Sequence, residues 1–122
     1  MAKKILLVDD SATSRMKSRM IFGDTKEYEF ISACDGKEGV EMALQRKPDL
    51  ILMDVEMPRM TGIEACRVLR EHAETRNTPI ILLTMRGEDP AVKEGFDSGC
   101  TEYMLKPVKE DKLIAVLKKY LK

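Results

Sequence analysis

Of five strand-like segments in this 122-residue chain, four end on a residue suited to phosphate chemistry. Lys4-Ile5-Leu6-Leu7-Val8 leads into Asp9-Asp10, and Leu50-Ile51-Leu52-Met53 leads into Asp54. Ile80-Ile81-Leu82-Leu83 leads into Thr84, and Glu102-Tyr103-Met104-Leu105 leads into Lys106-Pro107. Phosphoryl transfer asks a protein chiefly to position groups and neutralise charge, and carboxylates, a hydroxyl and an ammonium do both. Three unscreened aspartates held close together raise one another's pKa, and a hard divalent cation removes that conflict. Oxygen donors without a neighbouring His or Cys suit Mg²⁺. With Mg²⁺ and Lys106, the three aspartates sum to zero charge, so an incoming phosphoryl group meets little repulsion. Asp54 is the expected acceptor, since carboxylates form covalent phosphoryl intermediates. Its charge would rise from one to roughly two negative, with the Thr84 hydroxyl and backbone N–H groups holding the added oxygens. Singly these signals are bland: Asp9-Asp10 reads as a loop pair capping a helix, Lys106-Pro107 as a loop dipeptide, Thr84 as a strand end. Together they define one site.

Residues up to about 100 positions apart meet only if the fold gathers them. An open α/β sheet does so, because its ligands bind in the crevice beyond the carboxyl ends of the strands. The runs ILLV, LILM and IILL are unbroken apolar segments, as expected of strands covered on both faces. Tyr28 to Cys34 reads as a second strand of mixed polarity, which suits an edge. Helices are expected from Ser11 to Phe22, closed by Gly23, and after Asp35-Gly36-Lys37-Glu38, a capping-box arrangement followed by Val40, Ala43 and Leu44. Thr61-Gly62-Ile63-Glu64 starts a third helix that buries Ile63, Cys66 and Leu69. A fourth, short and weakened by Gly95, covers Pro90 to Ser98, and the last runs from Lys109 to Leu121. Alternating strands and helices give βαβ crossovers and a doubly wound parallel sheet with helices on both faces. Five strands favour the flavodoxin-like order 2-1-3-4-5. That order puts the one strand lacking a chemical residue, the second, at an outer edge. X–Pro bonds can be cis, and a cis Lys106-Pro107 bond would point Lys106 back over the crevice.

Bulk composition narrows the function. Residues 1–122 read as a single globular domain, with 43% hydrophobic and 34% charged residues and a formal net charge of zero. Without a basic excess, direct nucleic-acid binding is not expected. Nor is membrane insertion, since no apolar stretch approaches the roughly 18 residues a span requires. A strand starts at once, so no signal peptide is expected. Cys34, Cys66 and Cys100 form neither a CxxC pair nor a disulfide framework, which fits reduced thiols in a cytoplasm. His72 lacks a second histidine and is set aside as a ligand or relay residue. Of the nine methionines, Met57 and Met60 beside Asp54 read as core filling.

Val8 to Ser11 (VDDS), Leu50 to Gly62 (LILMDVEMPRMTG), Leu82 to Thr84 (LLT) and Tyr103 to Val108 (YMLKPV) resemble the receiver domain of two-component response regulators. The resemblance covers essentially the full chain, which is similar to stand-alone chemotaxis-type regulators. It implies that Asp54 takes a phosphoryl group from a sensor histidine kinase or a phosphotransfer protein. It implies direct Mg²⁺ ligation by Asp10, Asp54 and the Glu56 backbone carbonyl, with Asp9 acting mostly through water. Thr84 and Tyr103 match the family's switch pair. Their movement would remodel the face of the fourth helix, fifth strand and fifth helix, where a downstream protein binds. Intrinsic phosphorylation from small donors and autodephosphorylation are also implied, within a signalling role rather than an enzyme's.

Met85 stands where the family usually has a small residue, and its thioether is expected to narrow the route to Asp54 or to hinder Thr84. Glu56 and Arg86, each two residues beyond a site residue, are expected to tune phosphoryl lifetime and to pair across the mouth. Because the chain ends just after Leu121, output by protein contact is expected. A phosphorelay shuttle or a receiver fragment of a longer regulator would share this sequence. An aspartyl-phosphate phosphatase usually carries an Asp-x-Asp motif, but the second acid here is Glu56. A flavin-binding module would need a hydroxyl-rich phosphate loop where Asp9-Asp10 stand.

Overall fold

The computed structural model describes residues 2–23 and 26–121. Ten elements alternate along the chain: β1 (Lys3–Val8), α1 (Ala12–Ile21), β2 (Tyr28–Ala33), α2 (Gly36–Arg46), β3 (Leu50–Asp54), α3 (Gly62–Glu71), β4 (Ile80–Thr84), α4 (Asp89–Asp97), β5 (Glu102–Leu105) and α5 (Glu110–Tyr120). The strands form one parallel sheet in the order β2-β1-β3-β4-β5, as expected. The mixed strand β2 lies at the edge, and all residues of β3 and β4 are buried.

Side chains alternate across a strand, so each apolar run feeds two cores. Leu6, Val8, Ile51, Met53, Ile80 and Leu82 face Ala43 of α2 and Ile63, Ala65, Cys66 and Leu69 of α3. Ile5, Leu7, Leu50, Leu52, Ile81 and Leu83 face Leu113 and Leu117 of α5. Fully burying one such aliphatic side chain is worth about 1.5–3 kcal/mol, so the central strands are held firmly from both faces. Two helices sit more lightly. On α1, Met16 and Met20 are largely exposed, while α4 buries Gly95.

Helix ends follow local chemistry. Thr61 and Glu64 complete a reciprocal capping box at α3. Asp35 caps α2 by accepting from the Glu38 N–H, but Glu38 accepts from the Cys34 N–H instead of closing the box on Asp35. Gly23 adopts a φ of 69°, the left-handed conformation that glycine tolerates after a helix. Gly95 does more than weaken α4. A Cβ there would lie 2.5 Å from Cδ2 of Tyr103, so glycine lets that ring lie against the helix.

Candidate functional site

The pairing register fixes the site. Val8 lies beside Met53, Asp54 beside Leu83, and Thr84 beside Leu105. The next residues after β1 and β5 are therefore Asp9 and Lys106, and both emerge at the same sheet end as Asp54 and Thr84. Asp9, Asp10 and Asp54 each bring a carboxylate oxygen to within 4.8 Å of the others. Asp9 and Asp54 are each 7% exposed, whereas Asp10 is open to solvent. Lys106 bridges the buried pair, its Nζ lying 3.3 Å from Oδ2 of Asp9 and 3.3 Å from Oδ1 of Asp54. The Lys106–Pro107 bond is cis. Asp9 is held from behind, since its Oδ1 accepts from the Ser11 N–H at 2.9 Å and its carbonyl accepts from Arg15 Nη1.

Electrostatics follow from this crowding. Burial pushes the Asp54 carboxyl from its ordinary 3.8 up to about 6, Lys106 opposes the rise, and the negative charges of Asp9 and Glu56 add to it. Burial works against the Lys106 ammonium, yet Asp54 and Asp9 outweigh that penalty and hold its pKa above the ordinary lysine value. A cluster of carboxylate oxygens with this strain fits a hard divalent cation and offers nothing to a thiophilic one.

Thr84 is fully buried. Its hydroxyl donates to Oε1 of Glu56 at 2.7 Å and accepts from the Arg86 N–H at 3.1 Å. The same Glu56 oxygen accepts from the Met85 N–H at 3.3 Å, while the Met85 thioether side is 71% exposed. The expected Glu56–Arg86 pair is replaced by other partners for each. Glu56 is occupied by Thr84 and Met85, and the Arg86 guanidinium binds Glu88, two residues along, at 2.6 Å. Tyr103 donates its hydroxyl to the Arg86 carbonyl at 2.7 Å and stacks obliquely on Phe96, ring centres 6.3 Å apart. Its side of the site borders a cavity of about 130 Å³ that Tyr103 lines together with Val55, Ile63, Thr84, Pro90 and Ala91.

Met57 and Met60 join the core, as expected, and Cys34, Cys66 and Cys100 are free. Sequence reasoning missed how closely Gly62 approaches the acceptor strand. A Cβ at Gly62 would meet the Asp54 carbonyl oxygen at 2.3 Å, so only glycine lets α3 start against the loop after β3. The Thr61-Gly62 pair signalled a cap; nothing in it signalled the close approach.

The chain is thus a doubly wound α/β protein that carries clustered carboxylates able to hold a metal ion, a bridging lysine and a buried threonine at the carboxyl edge of its parallel sheet. Residues 5–118 match the family model described as the response regulator receiver domain. The chain is 32% identical to the polar-differentiation response regulator DivK of Brucella anthropi, over 99% of this chain and 98% of that protein. It is 35% identical to the transcriptional regulatory protein SrrA of Staphylococcus aureus, of which it spans 49%. Among solved structures it superposes on chemotaxis protein CheY4 of Vibrio cholerae with a TM-score of 0.89 at 32% identity, covering 98% of this chain and 99% of that one. A TM-score of 0.89 at 27% identity relates it to the receiver domain of sensor histidine kinase PA1611 of Pseudomonas aeruginosa, solved with magnesium coordinated in its active-site cleft, over 99% and 98% of the two chains. The chain belongs to the response regulator receiver family of two-component signalling.

Proposed function

We propose that residues 1–122 form one receiver domain in which Asp54 accepts a phosphoryl group from a phosphohistidine of a sensor kinase or phosphotransfer protein. The observation that carries this reading is the Lys106 ammonium set 3.3 Å from both Asp9 and Asp54 beside a third carboxylate. In the transfer, an Asp54 carboxylate oxygen forms the new P–O bond, the P–N bond of the donor breaks, and the imidazole leaves with the bonding pair. Mg²⁺, held by Asp10, Asp54 and the Glu56 backbone carbonyl with Asp9 acting through water, would neutralise charge on the transferring oxygens. The magnesium in the PA1611 receiver supports that choice of ion. Lys106 supplies the second positive charge and orients Asp54. Thr84 then donates its hydroxyl to a phosphoryl oxygen, and the cavity beside it gives Tyr103 room to turn inward.

Output passes to a downstream protein on the face of α4, β5 and α5. Phe96, 48% exposed, and Leu105, 53% exposed, give that face apolar area near Tyr103. Receiver domains act as signalling elements rather than as enzymes, and phosphorylation from small donors and self-catalysed dephosphorylation accompany that role. Partners of this kind and free thiols support a cytoplasmic location; among the described residues no helix is long and apolar enough to cross a membrane. Incubation with Mg²⁺ and acetyl phosphate, read by intact mass, tests the acceptor. Wild type should gain one phosphoryl group and Asp54→Ala none; equal labelling of both would refute the assignment.

A further inference from the structure

Glu56 is exposed, yet one of its carboxylate oxygens has two partners. That oxygen accepts a hydrogen bond from the Thr84 hydroxyl at 2.7 Å and another from the Met85 N–H at 3.3 Å. A threonine hydroxyl has a single proton to give. It cannot serve Glu56 and a phosphoryl oxygen on Asp54 at once. The two acceptors also lie close in sequence, Asp54 ending β3 and Glu56 in the loop that follows, and phosphorylation adds roughly one negative charge two residues from Glu56. The hydroxyl is further tied into a relay. Its oxygen accepts from the Arg86 N–H, and the Arg86 carbonyl accepts from the Tyr103 hydroxyl at 2.7 Å. A continuous chain of hydrogen bonds thus runs from Glu56, through Thr84 and the Arg86 peptide groups, to the ring on β5.

We propose that the Glu56 carboxylate is a latch: it holds the Thr84 hydroxyl in the unphosphorylated state and must release it before that hydroxyl can bind the phosphoryl group. The inference rests on Asp54 being the phosphoacceptor. Glu56 acts here as a positioning residue, through Thr84, and sets how readily the site accepts a phosphoryl group. It also keeps the Arg86 carbonyl where Tyr103 can reach it, so release at Thr84 is felt on the outer face.

Beryllofluoride, a stand-in for the phosphoryl group on a carboxylate, provides the probe. With Mg²⁺ present, Glu56→Ala should bind it about tenfold more tightly than wild type, the size expected for freeing one charge-assisted hydrogen bond. The gain must depend on the hydroxyl, so in a Thr84→Ala background the same substitution should change affinity by less than about threefold. Glu56→Gln keeps an acceptor without the charge and should fall between wild type and Glu56→Ala. A second readout needs neither ion nor phosphoryl mimic: in metal-free protein, Glu56→Ala should shift the Arg86 amide and Tyr103 ring resonances while leaving those of Ile31 in place. An unchanged beryllofluoride affinity in Glu56→Ala would overturn the latch. So would an undiminished gain without Thr84, which would reduce the effect to charge repulsion, or unmoved Arg86 and Tyr103 resonances. Wild type that fails to bind beryllofluoride, or Asp54→Ala that binds it equally well, would instead overturn the phosphoacceptor reading and the latch with it.

Discussion

Replacing Asp54 by Asn should make the metal-free protein more stable at pH 7, although it removes the proposed acceptor and one ion-pair partner of Lys106. In the unfolded chain this carboxyl releases its proton near 3.8, and in the folded protein near 6, because burial and the charges of Asp9 and Glu56 disfavour the anion. The folded state therefore holds more protons than the unfolded state between those values, and stability falls as pH rises through that window. At about 1.4 kcal/mol per pKa unit, the gap amounts to about 3 kcal/mol at neutral pH. Asp54 is 7% exposed, so solvent screening removes little of this. The opposing pull of Lys106 is already contained in that net shift, so the expected gain stays at about 3 kcal/mol. Urea unfolding in EDTA, repeated in steps from pH 4.5 to 7.5, measures it. The advantage of Asp54→Asn should be small at the acid end, open as pH rises towards 6, and be complete by pH 7. Added Mg²⁺ should close the gap by stabilising wild type alone, through preferential binding to its folded state. A pH-independent difference, or a wild type more stable than the variant at pH 7, would refute the electrostatic account of this site.

Lys106→Met leaves Asp9 and Asp54 without their shared counter-charge, which should raise the Asp54 pKa further and cost about 1–3 kcal/mol at pH 7; denaturant midpoints should recover as pH falls and Asp54 takes up its proton. Gly62→Ala places a methyl against the Asp54 carbonyl, a backbone atom that cannot swing aside. It should cost about 1–3 kcal/mol and slow acetyl-phosphate labelling, checked by urea melts and intact mass. Arg70 donates to the carbonyls of Gly99, Thr75 and Thr78 at 2.8, 2.9 and 2.7 Å, and to the Thr101 hydroxyl at 3.3 Å. Arg70→Ala should therefore lower stability by about 2–4 kcal/mol in a chemical melt, and Arg70→Lys should recover only part because an ammonium lacks the planar fork.

The strands and the acidic cluster were legible because backbone periodicity decides them. Runs such as IILL leave a buried strand few alternatives, and once the sheet order follows, Asp9, Asp54, Thr84 and Lys106 have to emerge at one end. What stayed hidden are choices between side chains of similar reach. Arg86 had two acids available, Glu56 and Glu88, and took the local one. Glu38 had two backbone donors available and took Cys34 rather than Asp35. Gly95 signals a weak helix in any helical window, and only the Tyr103 ring beside it explains why glycine belongs there.

The division between rigid and lightly held parts bears on how such a site can switch. β1, β3 and β4 are buried on both faces, so the acidic cluster and Thr84 sit on backbone that cannot yield without opening a core. Precise placement of phosphoryl ligands requires that rigidity. The change must then be carried by elements with few buried contacts. The Met85–Glu88 turn and α4 meet that condition, since residues 85–90 are all exposed and α4 buries Gly95. The Glu56–Thr84–Arg86–Tyr103 chain crosses from the rigid part into that mobile-competent part at a single hydroxyl. A one-proton choice at Thr84 can thus be read out at β5 without disturbing the sheet.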